Sequence, residues 1–155
     1  QSLCHYFKLG ELHYLPVELQ QAVARRVTGK GGWWYKSATL QHGNSVKAVA
    51  FHPQGHTLAT VSDNGTACLW NLEDGTKLHT LRHGNSVREV AFHPQGHTLA
   101  TALADGTTCL WNTKDGAKLH TLRHGDWVNG VAFHPQGHTI AIASADKTAC
   151  LWNIE

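Results

Sequence analysis

The chain has 155 residues, enough for one ordinary core or for one domain with a short appendage. Apolar residues make up 41% and charged residues 15%, which predicts a folded chain, although 13 histidines, 6 tryptophans and no methionine are unusual. Thirteen basic against eleven acidic side chains leave a formal charge of +2 spread without runs. This argues against nucleic-acid and anionic-membrane partners, and no apolar stretch nears the ~20 residues of a membrane span.

In chain order, "ELHYLPVELQQAVARRV" (11–27) reads as a helix, with Pro16 at its start, Glu18 in the first turn and Leu15, Leu19, Ala22, Val23 and Val27 at helical spacing. Gly29-Lys30-Gly31-Gly32 ends it and acts as a hinge, so residues 1–32 form a helical extension. "WWYKSATLQ" (33–41) follows, and from His42 the chain repeats itself. "HGNSVKAVAFHPQGHTLA" returns at His83 almost unaltered and again, more worn, at His124. The period is 41 residues without gaps, giving units 42–82, 83–123 and 124–155; the first two differ at ten positions. Periods of this size mark solenoids and propellers.

Turn chemistry favours strands. Each unit carries Pro-Gln-Gly, an Asx-x-Thr turn and, in the first two units, an Asp-Gly, a turn signal about every ten residues. In the second unit, "VREVAF" (87–92), "HTLATAL" (97–103), "TTCLWN" (107–112) and "AKLHTL" (117–122) become strands A to D of an antiparallel meander. Small residues alternate with large ones, which predicts sheets covered on both faces by neighbouring sheets. Cys68, Cys109 and Cys150 occupy one place in successive units. Equivalent positions in such an array lie roughly a sheet spacing of ~10 Å apart, beyond the ~7 Å Cα limit for a disulfide, which predicts free thiols and a cytoplasmic setting.

The units resemble blades of the WD-repeat β-propeller family, which pairs a Gly-His near the start of the repeat with Trp-Asp at its end. The histidine is kept at His42, His83 and His124, and the closing dipeptide is Trp-Asn at Trp70-Asn71, Trp111-Asn112 and Trp152-Asn153. "FHPQG" stands where the family usually has Phe-Ser-Pro-Asp-Gly. The resemblance implies an all-β fold of propeller blades, each held by a buried hydrogen-bond chain of Trp, Ser/Thr, His and Asp. Carried over by position, the second blade has all four members in His83, Thr101, Asp105 and Trp111. The first has His42, Thr60 and Trp70, with Asn64 for the aspartate. The third has His124, Asp146 and Trp152, but Ile142 takes the hydroxyl position and breaks the chain at one link.

The third unit runs only to its strand C, whereas residues 33–41 align with the strand-D segment 74–82. Residues 33–155 therefore read as three blades' worth of strands cut between C and D, and in the family such a cut often closes a ring. Three blades are fewer than the four to eight of a typical propeller, so the expected partner is the chain itself. Two copies give six blades, the favoured count, and three give nine, with Trp33, Trp34, Tyr35 and Leu40 at the contact. The alternative is a fragment of a longer propeller. "LPVEL" also resembles the opening of an F-box, which implies as a further alternative an adaptor presenting a propeller-bound protein to another complex.

Three H-x-x-x-H pairs, His52/His56, His93/His97 and His134/His138, invite a metal hypothesis, but no carboxylate or cysteine completes them locally and no metal or cofactor is expected. Phosphate loops, nucleophile elbows and metalloprotease helices are missing from the sequence, and near-identical blades repeat the same groups, which argues against an enzyme. The resemblance implies instead that an unidentified protein or peptide docks on the face formed by the D–A and B–C loops. Those loops offer Asn44 and Lys47, Asn85 and Arg88, and Asp126, Trp127 and Asn129.

Overall fold

The computed structural model describes residues 38–154. Residues 1–39 and 40–155 divide into two units, and the described strands all lie in the second. The helix expected over 11–27 and the side chains of Trp33, Trp34 and Tyr35 lie outside the described residues.

Eleven strands build three antiparallel meanders. The first sheet holds β1 (Val46–Phe51), β2 (Thr57–Ser62), β3 (Thr66–Asn71) and β4 (Lys77–Arg82); the second holds β5 (Val87–Phe92), β6 (Thr98–Leu103), β7 (Thr107–Asn112) and β8 (Lys118–Arg123). The third has three strands, β9 (Val128–Phe133), β10 (Thr139–Ser144) and β11 (Ala149–Asn153). In the second unit every strand lies within one residue of its expected bounds. Turn chemistry explains that accuracy. After Phe92 the His93 amide bonds Thr98 O at 2.8 Å and the Gly96 amide bonds His93 O at 2.8 Å. The turn closes only because Gly96 adopts φ +81°, open to a residue without Cβ. In the third unit Lys147 takes a comparable conformation at φ +73°, the one non-glycine among the described residues to do so.

Packing follows the repeat. The first strand of each later sheet lies against the first and second strands of the sheet before it, β5 on β1 and β2, β9 on β5 and β6. One apolar cluster sets Ala59, Val61 and Leu69 of the first sheet against Val87, Val90 and Leu99 of the second; another sets Ala100, Ala102 and Leu110 against Val128, Ile140 and Ile142 of the third. Covering on both faces, expected for every sheet, is thus met among the described residues for the second alone; no other described sheet packs on the outer face of the first or the third. Residues 38–41 belong to no strand, and Leu40 is half-buried.

Cys68, Cys109 and Cys150 are free thiols. Among the described residues no helix is long and apolar enough to cross a membrane.

Candidate functional site

The loops joining one sheet to the next and those joining the second strand to the third lie side by side, because the D–A segments bond the B–C turns of both the preceding and the following blade. The His83 amide donates to Gly65 O at 2.8 Å, the Asp63 amide to Ser45 O at 3.1 Å. Each first strand also starts with a bulge, since the pairing shifts between Val46 and Ala48, between Val87 and Glu89, and opposite Ala143/Ser144. The residues left unpaired are Lys47, Arg88 and Asn129. A bulge re-aims a side chain, and here Lys47 and Arg88 reach loop residues.

Two contacts then cross the sheet boundaries. Lys47 Nζ meets Asp63 Oδ2 at 2.6 Å, and Asp63 Oδ1 accepts from Ser86 Oγ of the next sheet at 2.7 Å. These donors hold the Asp63 carboxyl below the usual carboxylate range, the Lys47 bond first and the Ser86 bond next. At the following boundary the Arg88 guanidinium lies 5.0 Å from the centre of the Trp127 ring, which is 53% exposed. Asn44, Asn85 and Asp126 act differently. Each turns its Oδ1 to the amide of the next residue, at 2.7, 2.8 and 2.7 Å, so they shape the loop. Asn129 is exposed.

Behind this face sits the aromatic hydrogen-bond chain. Trp70 Nε1 donates to Thr60 Oγ1 at 2.7 Å and His42 Nε2 lies 2.6 Å from the same oxygen; Trp111 Nε1 and His83 Nε2 both lie 2.9 Å from Thr101 Oγ1. In the third sheet Ile142 occupies the hydroxyl position, and both His124 Nε2 and Trp152 Nε1 are buried with no hydrogen-bond partner among the described residues. The acidic position serves the local turn. Asp105 Oδ1 accepts from the amide and hydroxyl of Thr107 at 3.0 and 2.6 Å, and Asn64 and Asp146 treat Thr66 and Thr148 alike. His83 Nδ1 is consequently a buried atom without a partner among the described residues. Burial first, and the nearby Lys118 charge second, push the His83 pKa down to about 4. His42 and His124 are lowered too, chiefly by burial.

On the opposite rim the paired histidines are occupied. His52 and His56 stack at 4.4 Å, as do His93 and His97. His52 Nδ1 accepts from the Gln54 amide at 3.1 Å, which leaves Nε2–H to donate to Gly96 O of the next sheet at 3.2 Å. His93 repeats this with Gln95 and Gly137, at 3.1 and 3.0 Å. His56 uses both nitrogens on Thr57 and Gln54. A metal ligand needs a free ring nitrogen, and no group of three potential ligands that could hold a metal ion exists among the described residues.

Against this geometry, the family model described as "WD domain, G-beta repeat" matches residues 34–71, 75–112 and 116–153. The chain belongs to the WD-repeat family. Each match runs from the fourth-strand segment to Trp-Asn, so the first takes in most of residues 33–41. Among solved structures, the crystal structure of the RRP9 WD40 repeats superposes with a TM-score of 0.71 at 24% identity over 74% of this chain, showing the same fold. The chain spans 37% of the length of that structure. No curated protein matches it. WD-repeat proteins are generally non-enzymatic scaffolds, and their domains generally bind other proteins.

For this WD-repeat chain the sequence reading missed Asp63, which joins the first two blades by accepting from Ser86 on the loop face. Its signal was visible, because Asp63 is one of the ten positions where the first two units differ. It also missed the Nε2–carbonyl bonds of His52 and His93. The regular recurrence of His-Pro-Gln-Gly pointed to them, but only the stacking of blades brings a histidine to a glycine 44 residues away.

Proposed function

We propose that this WD-repeat chain is a non-enzymatic protein-interaction scaffold, assembled from several copies in the cytoplasm, that takes a protein or peptide on its loop face. One observation carries the binding reading. Trp127 is exposed between two blades with the Arg88 cation over its ring, a rigid aromatic surface beside hydrogen-bonding groups of the kind that anchors interfaces. Free thiols fit a reducing compartment. Residues 38–41 form no strand in the single chain; the family match that starts at residue 34 supports reading 33–41 as a segment that takes up a fourth strand only against another copy, and two copies supply six blades, inside the usual range.

A displayed library of random peptides tests the binding reading. Peptides enriched on the wild-type chain are expected to lose at least about tenfold in affinity on Trp127→Ala and a smaller factor on Arg88→Ala. Peptides that bind both variants as they bind the wild type place the docking face elsewhere.

A further inference from the structure

The two blade junctions inside the chain are built alike, and each end of the stack carries one unmatched half of the same junction. In the junctions the first-strand valines and phenylalanine of one blade cover the small residues and leucine of the blade before it. Val90 is 4% exposed, and its counterpart Val49, on the first blade, is 58% exposed. Leu110 is 4% exposed, and its counterpart Leu151, on the third, is 76% exposed. Phe51 is likewise bare where Phe92 and Phe133 are half-buried.

The polar part of the junction shows the same asymmetry. The buried rings of His52 and His93 each reach the next blade's turn glycine and lie edge-on to its phenylalanine, Phe92 at 5.1 Å and Phe133 at 5.2 Å. His134 is the third copy of this hook. Its Nδ1 accepts from the Gln136 amide at 3.2 Å, as in the other two, so Nε2–H is the donor, with no acceptor given it among the described residues, and the ring is exposed. Gly55 is the unfilled eye. A Cβ at Gly96 or Gly137 would collide with the histidine Nε2 of the blade before, whereas a Cβ at Gly55 has nothing within 4 Å among the described residues.

The geometry points to a second copy of this chain as the occupant of both faces: Val49 and Phe51 of one copy seat on Leu151 of the next, and His134 donates to Gly55 O. The surface is heterologous, since two different patches meet, and it continues the internal junction in direction and residue type. It rests on the assembly reading above and names the side chains of the blade-to-blade face, which the strand pairing alone leaves unspecified. A second copy carries both complements, Val49, Phe51 and Gly55 on its first blade and Leu151 and His134 on its third.

Mass measured in solution by light scattering tests this, with the full chain as wild type, Val49→Asp, Leu151→Asp, and an equimolar mixture of the two variants. The wild type is expected to form a closed oligomer and each variant to remain monomeric with unchanged circular dichroism, both sites being exposed. The mixture is expected to yield a one-to-one dimer, since one variant keeps the Leu151 face and the other the Val49 face. His134→Ala and Gly55→Ala, milder changes, are expected to raise the dissociation constant about tenfold, the worth of one net hydrogen bond. Oligomers of unchanged size in both aspartate variants would overturn this face while leaving assembly standing. A wild type that stays monomeric overturns both.

Discussion

The second and third blades share most of their sequence and differ in what they complete. In the second, Thr101 joins Trp111 to His83 and Leu110 is covered; in the third, Ile142 leaves Trp152 Nε1 and His124 Nε2 without partners among the described residues and Leu151 faces solvent. Burying such a leucine stabilises by about 2 kcal/mol. The lesson is that burial in a repeat array belongs to the neighbour more than to the residue. The same apolar position is core in the middle of the stack and surface at its end. The internal polar chain, by contrast, depends on a hydroxyl that each blade supplies itself.

The largest test removes that hydroxyl. Thr101→Val keeps the side chain's shape and orphans two buried ring nitrogens, so urea unfolding is expected to show a loss of about 2–4 kcal/mol; a loss below about 0.5 kcal/mol would mean that the chain contributes little to the second blade.

Acid acts next. His83 has its pKa pushed down to about 4 against an ordinary 6.5, so the folded blade favours the neutral ring. Its contribution is complete above pH 6.5 and disappears as pH falls toward 4, at most about 3 kcal/mol and less for the ring's partial exposure. The His124 shift has the same sign but is smaller. Ring titration by NMR is therefore expected to find His124 protonating at the higher pH, the third blade charging before the second.

The inter-blade hook separates two glycines of the same backbone conformation. Gly96→Ala meets the His52 ring, Gly55→Ala meets open space, and both carry the cost of a left-handed φ. At the lowest workable chain concentration, Gly96→Ala is expected to be the more destabilising by about 1–3 kcal/mol. Equal losses would show that the His52 ring yields freely.

The smallest effect has an unusual sign. Ile142→Thr gives His124 and Trp152 the hydroxyl that serves the other blades, and a buried isoleucine replaced by threonine is expected to gain about 1 kcal/mol. A loss comparable with ordinary core truncation would show that the third blade is organised around Ile142.

Much of this was legible in the residues. Pro-Gln-Gly and the Asx-x-Thr turns are local chemistry, so they placed strands within a residue, and the position of Ile142 announced the broken link before any coordinates. The role of Asp105 was not legible, because its carboxylate faces two competing donors, the His83 ring across the blade and the Thr107 backbone and hydroxyl two residues on, and the nearer one wins. Nor was the paired engagement of His52, which spacing alone made a metal candidate. Its second nitrogen meets a carbonyl that only packing delivers.

By itself the amino-acid sequence determined the period and the meander within each unit, both settled by interactions a few residues to one hairpin long, and its resemblance to the family implied the Trp-Thr-His chemistry; the bulges at Lys47, Arg88 and Asn129 came from the strand pairing. Tertiary structure decided which sheet is covered twice, which histidines become inter-blade donors, and that Trp127 meets Arg88 at a boundary. Near-identical repeats carry no label saying which neighbour each will have; stacking supplies it, because apolar area and free donors are buried or left open only when whole sheets meet.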